Sequence, residues 1–171
     1  SDYAKAVEEF HLAEDAGEHA SWFLYFYAFA LAMQKQMVKC EQELVKILGR
    51  RSEDANWRQD AGRAMYTMGM KLFEQRQFRL AYQCFEYVRE HTKDAAQLSH
   101  LDHLLEETRF RQVIEHIAAG DYLEAENAVA MLQLETHDKN RFTACQYYQA
   151  LCQLFLKQYP QALKVVEALE K

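Results

Sequence analysis

The stretch MYTMGMKLFEQRQFRLAYQCFEYV, residues 65–88, indicates the fold class of this chain. Its first half places apolar or small residues at offsets 0, 3, 4 and 7, which form one stripe on an α-helix: Met65, Met68, Gly69 and Leu72. A polar turn follows at residues 75–77, and the second half carries a stripe at offsets 0, 3, 7 and 10: Phe78, Ala81, Phe85 and Val88. The stretch therefore predicts two antiparallel helices joined by a short turn.

The pattern of the second half recurs along the whole chain. It consists of an aromatic residue or Met, a small residue three positions later, and apolar residues four and seven positions further on. Its other four occurrences begin at Tyr3, Met37, Tyr122 and Tyr159. With Phe78 included, successive leading residues are 34, 41, 44 and 37 positions apart. A further apolar stripe precedes each occurrence after the first; the last of these stripes is Tyr147, Ala150, Leu151 and Leu154. Repetition at this interval predicts a string of antiparallel helix hairpins.

Composition supports an all-helical chain. Half of the 171 residues are apolar, with only 5 Gly and 1 Pro, fewer turn residues than a β-sandwich or an α/β sheet requires. The net charge of −6 argues against general nucleic-acid binding. The longest uncharged apolar run has twelve residues, 22–33, whereas a membrane span needs about 20, so we expect no membrane insertion. The four cysteines form no C-x-x-C pair, which favours a reducing, cytoplasmic compartment.

On these residues the chain resembles the tetratricopeptide repeat family. Gly69 matches the family's close helix contact, Phe78 the aromatic after the turn, Ala81 the small residue and Phe85 the aromatic four positions later. The resemblance implies an all-α, right-handed α-solenoid of about four and a half hairpins, nine helices in a single domain over residues 1–171. The expected hairpin units are 1–16, 18–50, 53–91, 94–134 and 138–171. The first unit resembles a second helix without its first, which indicates a fragment of a longer protein.

The sequence departs from the family pattern in two ways. In the last two repeats the turn reads one residue shorter, which moves the close-contact position to Ile114 and Leu151. The long spacings of 41 and 44 predict that two first helices are extended at their N-termini, with Ser52 and Thr92 as N-caps. The alternative for the second extension is a separate short helix at about 94–105.

The resemblance also implies a concave groove lined by the first helix of each hairpin. In the first two complete repeats the groove positions are Trp22, Tyr25, Phe29, Met33, Arg63, Tyr66, Met70 and Phe73. In the later repeats they are Arg111, Glu115, Tyr148 and Cys152. The family's carboxylate clamp for chaperone tails uses Lys, Asn and Arg, which the aromatic residues of the first repeat do not supply. An aromatic and Met lining with one Arg suits an apolar or amphipathic segment of a partner.

Two stretches of the sequence each allow two interpretations. The run WFLYFYAFALAM, residues 22–33, is apolar on every side, so either neighbouring helices or a partner segment must cover it. Residues 50–79 hold seven Arg or Lys against four acidic residues, and this basic patch is either a receptor for an acidic peptide or a solvated face.

Candidate catalytic residues are sparse. Glu8 and His11 form a single E-x-x-H, and His100 and His103 lie three apart beside acidic residues. A di-metal helical site needs two such motifs with further carboxylates, so solvated helix faces are the favoured interpretation. Cys145 and Cys152 share a helix face, which is typical of buried thiols. We therefore predict no enzymatic activity, no cofactor and no metal.

Our first hypothesis for the function is a protein-interaction scaffold that binds a partner peptide or helix in the groove. The alternative is a regulatory or accessory domain that acts in cis within a larger enzyme, signalling or secretion protein. A homodimer through exposed apolar helix faces is a further hypothesis.

Overall fold

The computed structural model describes residues 2–17, 21–48, 55–136 and 138–169, and only the backbone of 21, 22, 48 and 55–61. Within these ranges the chain forms nine α-helices and no strand. They are α1 (Asp2–Asp15), α2 (Ser21–Met33), α3 (Met37–Leu48), α4 (Ala55–Glu74), α5 (Phe78–His91), α6 (Ala95–Ala119), α7 (Tyr122–Glu135), α8 (Lys139–Phe155) and α9 (Tyr159–Leu169). The predicted all-α class is confirmed. None of the described helices is both long and apolar enough to cross a bilayer.

The helices divide into two compact units, Ser1–Leu101 and Asp102–Lys171, with the boundary inside α6. In the first unit α2 packs against α3 and α4 against α5, while α1 and α4 both contact α2. The stripe predicted for α4 is buried there, and so are Leu44 of α3 and Phe85 of α5. The apolar stripe that precedes Met37 is buried in α2, and its members are Leu24, Tyr27, Ala28 and Leu31. Only Val7 of α1 is buried, because α1 has a helix neighbour on one side.

Gly69 marks a close approach of α4 to α5 within the first unit. A Cβ built on Gly69 would lie 2.7 Å from Cε1 of Phe85 and 3.1 Å from Cβ of Cys84. Both of these residues of α5 are fully buried, so neither has open space into which to retreat. The glycine therefore allows the backbone of α4 to approach the buried face of α5.

In the second unit the core combines apolar and polar side chains. Val113 of α6, Val129 and Leu132 of α7 and Cys145 of α8 form its apolar centre, with half-buried Phe110 beside them. Polar groups fill the neighbouring layer: Nε2 of Gln153 donates to Glu126 at 3.0 Å, and Nε2 of Gln133 donates to Gln149 at 3.1 Å. Because Gln149 and Gln153 lie on the inner side of α8, the apolar stripe predicted for this helix is wrong. Of its four members only Ala150 is buried; Tyr147 and Leu154 are exposed and Leu151 is half-buried.

One turn geometry joins the helices of all four hairpins. The residue with positive φ is Lys35, Arg76, Gly120 or Lys157, with φ between 58° and 80°. In each case its N–H and the next N–H donate back to the last turn of the first helix, for example Arg76 to Phe73 at 3.0 Å and Gln77 to Leu72 at 2.8 Å. This is the Schellman termination, in which two otherwise unsatisfied carbonyls gain donors.

The four turns share the same hydrogen-bond pattern, so the prediction that the turns of the last two hairpins are one residue shorter is wrong. Counted back from the turn, the position of Gly69 is occupied in the later hairpins by Val113 and Ala150, both buried. Ile114 and Leu151, predicted for this position, are half-buried. The misassignment arose because Val113 and Ala150 stand directly before larger apolar residues, so the sequence pattern fits either register.

The two long first helices agree with the predicted N-terminal extensions. Helix α4 has 20 residues and α6 has 25, and α6 runs without a break from Ala95 to Ala119, which excludes a separate short helix at about 94–105. Thr92 is not its N-cap but the C-cap of α5. Oδ1 of Asp94 accepts from the N–H groups of Ala96 and Gln97, at 2.8 and 3.1 Å, and so caps α6 instead. Ser52, predicted to cap α4, lies outside the described residues.

Candidate functional site

A pocket of about 280 Å³ lies between α2 and α4 in the first unit. Its lining consists of Tyr25, Phe26, Phe29, Arg63, Ala64 and Thr67. Three of these six residues were predicted groove positions, so neighbouring first helices do bring Tyr25, Phe29 and Arg63 together. Phe26, Ala64 and Thr67 were missed.

Tyr25 forms the floor of the pocket. It is buried, and its hydroxyl donates to the backbone carbonyl of Ala64 on α4. Burial raises the pKa of the Tyr25 phenol well above its usual value, so the phenol stays protonated and keeps this donor. Tyr25 therefore joins α2 to α4, and neighbouring helices cover this part of the apolar run.

Phe29 and Phe26 form the aromatic wall. Phe29 is half-buried, and its ring meets Tyr3 of α1 edge-on at 6.3 Å between centroids. Phe26 is 52% exposed and contacts the Tyr25 ring edge-on at 5.4 Å. The signal for Phe26 was present in the sequence, because a helix that is apolar all round must direct some rings away from both of its predicted faces.

Arg63 supplies the charge at the rim. It is exposed, and no carboxylate among the described residues forms an ion pair with it. Two other cations of the predicted basic patch are paired: Lys71 with Glu74 at 2.8 Å, and Arg79 with Glu41 at 2.5 Å. Arg76 lies in the turn between α4 and α5 and does not line the pocket. The other three, Arg50, Arg51 and Arg58, lie outside the described residues or have undescribed side chains. Within the described chain, the basic patch thus reduces at this pocket to one arginine beside an apolar cavity.

The remaining groove positions of the first two repeats lie away from the pocket. Half-buried Met33 accepts a weak contact from Nε2 of Gln75 at 3.9 Å, and Phe73 packs edge-on against Phe78 at 5.2 Å. The Tyr66 hydroxyl lies 3.0 Å from Nε2 of His100, and Met70 is half-buried. The side chain of Trp22 lies outside the described residues.

The groove positions proposed for the later repeats do not form a site. Arg111 is paired with Glu107 at 2.8 Å, and Glu115 is half-buried. Tyr148 packs against Phe110 at the edge of the core, with centroids 5.8 Å apart. Cys152 is fully buried, so its assignment to a groove is wrong.

The other candidate residues occupy ordinary structural positions. His11 lies 3.9 Å from Asp15 on the exposed side of α1, and Glu8 is exposed. In the part of the chain that the structure describes, no three His, Cys, Asp or Glu side chains cluster as metal ligands would. All four cysteines are buried free thiols, and burial raises the pKa of Cys145 and of Cys152 to about 11. Thiols held in this protonated form are poor nucleophiles at neutral pH.

Similarity to known proteins adds no constraint on the pocket. No protein-family model, no curated protein and no solved structure gives a significant match to this chain.

Proposed function

We propose that this chain is a tetratricopeptide-like hairpin array that binds a segment of a partner protein in the pocket between α2 and α4. The array assignment is supported by the four equal helix–turn–helix connections and by the close contact at Gly69. It is further supported by the small residues three positions after the first residue of each second helix, all of which are buried: Cys40, Ala81, Ala125 and Ala162.

The observation that carries the binding proposal is the juxtaposition of an aromatic cavity with an arginine that has no ion-pair partner among the described residues. The cavity of about 280 Å³ lies below the range of roughly 300–1,000 Å³ typical of small-molecule sites. Apolar side chains of a protein partner fit such a cavity, and aromatic and arginine residues are the types that dominate protein interfaces.

The chemistry of the rim specifies the partner segment. A carboxylate beside the inserted apolar side chain would pair with Arg63, whose guanidinium offers two parallel N–H donors. Thr67, one turn beyond Arg63 on α4, uses its hydroxyl to donate to the Arg63 carbonyl at 3.0 Å. We therefore expect a segment in which a large apolar residue neighbours Asp, Glu or a C-terminal carboxylate. The alternative of an accessory domain acting in cis would use the same pocket for a segment of its own polypeptide, and no described contact favours it over the first hypothesis.

The test is a selection of random peptides on the whole chain, followed by fluorescence anisotropy of the selected peptides. We expect enrichment of an apolar residue next to an acidic one. Phe29→Ala should weaken binding about thirtyfold, as loss of a central contact does. Arg63→Gln should weaken it up to about fivefold, because an ion pair at an exposed arginine contributes up to about 1 kcal/mol.

Lys39→Gln serves as the matched control for the charge change. It removes the same single charge from the exposed side of α3, away from the pocket, and should leave affinity unchanged. Selected peptides that bind wild type, Phe29→Ala and Arg63→Gln equally well would contradict the proposal, provided that all variants keep the far-UV circular dichroism of the wild type.

A further inference from the structure

The last hairpin exposes apolar residues at positions whose equivalents in the earlier hairpins are in contact with other helices. In each first helix an aromatic residue lies twelve positions before the residue that opens the second helix: Tyr25, Tyr66, Phe110 and Tyr147. The first three contact the next first helix along the chain, at Ala64 of α4, His100 of α6 and Tyr148 of α8. Tyr147 is 62% exposed. Its position is therefore a helix-contact position that no described helix covers.

The second helix of the same hairpin shows the same change. Seven positions after the opening residue, Leu44, Phe85 and Val129 are fully buried in α3, α5 and α7. The equivalent residue of α9, Val166, is 42% exposed, and Leu163 on the same stripe is 59% exposed. Leu154 of α8, two turns beyond Tyr147, is 51% exposed. Exposed apolar residues thus follow one stripe on each of the two helices, 147–154 on α8 and 159–166 on α9.

We expect the exposed apolar residues of α8 and α9 to be buried against another surface. Within a helical repeat array each repeat packs its apolar face against a neighbour. Contiguous exposed apolar surface marks an interaction site. The residue types here, Tyr and Leu at helical spacing, are those that pack against another helix in the interior of this chain.

The distribution of charged residues indicates which partner binds the apolar stripes of α8 and α9. An interface between identical copies brings each surface onto itself, so it must avoid opposing like charges. Residues 142–156 contain no charged side chain, and residues 142–169 contain three, Lys157, Lys164 and Glu167. The whole chain carries a net charge of −6, so contact between two copies is favoured where charged side chains are few. We propose that the stripes 147–154 of α8 and 159–166 of α9 form a two-fold interface with a second copy of this chain.

The experiment is sedimentation velocity of the whole chain from low to high micromolar concentration. Wild type should shift from monomer to dimer as concentration rises. Leu154→Glu and Leu163→Glu each place a carboxylate in the interface and should raise the dissociation constant at least about thirtyfold, as loss of a hot-spot contact does. Leu134→Glu, the same change at a more exposed site on α7, should dimerise like wild type.

A mixing experiment tests whether the face meets its own copy. Leu154→Glu and Leu154→Lys chains should each be monomeric alone and should associate when mixed, because unlike charges then replace like charges in the interface between the two copies. A wild type that stays monomeric at the highest concentration would overturn the proposal and leave the face to an unlike partner. A dimer that survives both Glu variants, or one that Leu134→Glu also abolishes, would equally overturn it. Unchanged far-UV circular dichroism shows that each variant is folded.

Discussion

Gly69→Ala tests the close contact between α4 and α5. In an open helix position, replacing Gly by Ala stabilises by about 1 kcal/mol, because Ala has the higher helix propensity. At Gly69 the added methyl would lie 2.7 and 2.9 Å from two ring atoms of Phe85, which is fully buried. Overpacking of this kind costs typically about 1–3 kcal/mol. The steric penalty outweighs the propensity gain over most of that range, so we expect a net loss of about 1 kcal/mol.

Gly62 provides a matched control on the same helix. A Cβ at Gly62 meets nothing within 4 Å, and its φ is not positive. Gly62→Ala should therefore stabilise by up to about 1 kcal/mol. The two alanine variants should shift the midpoint of thermal unfolding in opposite directions, each by about 2–4 °C, measured by circular dichroism with urea unfolding as a second measurement.

A double variant identifies the cause. Phe85→Leu removes the ring atoms that the new methyl would meet, so Gly69→Ala should cost less in that background than in wild type. A Gly69→Ala protein that gains as much stability as Gly62→Ala would refute the close approach of α4 to α5, and with it the packing described for the first unit.

Three further predictions concern the pocket, the turns and the thiols. Tyr25→Ala should lower the free energy of unfolding by about 3–5 kcal/mol because Tyr25 is buried. Phe29→Ala should lower it clearly less because Phe29 is only half-buried, and equal losses in urea unfolding would place Phe29 in the core. Gly120→Ala should lower the free energy of unfolding by about 1 kcal/mol, because φ is 80° at this position and favours glycine. An unchanged free energy in urea unfolding would contradict the Schellman turn. Burial raises the pKa of Cys40 to about 12 and of Cys145 to about 11. Because the unfolded thiols ionise near pH 8.5, their contribution to stability is complete below that pH and is lost as the pH rises through these folded values. Native protein should accordingly resist thiol-reactive dyes at pH 8 and react fully in denaturant; rapid labelling of the native protein would show exposed thiols.

Local features were predictable from the sequence because they depend on residues close together in the chain. The period of the apolar residues predicted helices, and the polar triplets at 34–36 and 75–77 predicted the positions of two turns. Both signals report on backbone geometry within one or two helical turns, so they hold whatever the rest of the chain does. The buried state of Ala81 and Ala125 follows for the same reason, since a small residue within an apolar stripe permits a close neighbour.

Which side of a helix becomes the core was decided by the tertiary structure. In α8 the sequence predicted burial of Tyr147 and Leu154, yet Gln153 lies inside because Glu126 of α7 accepts its hydrogen bond. A polar side chain can be buried where a partner from another helix satisfies it, and that partner cannot be recognised from the sequence of α8 alone.

The candidate site shows the same division. The aromatic run of α2 by itself determined that rings must lie on more than one face and that something must cover them. Only the approach of α4 decided that Tyr25 forms a floor hydrogen-bonded to Ala64, while Phe26 and Arg63 remain exposed beside it. Helix periodicity is a property of consecutive residues, whereas a pocket is the space left between two helices, and its shape depends on the distance and rotation at which they pack.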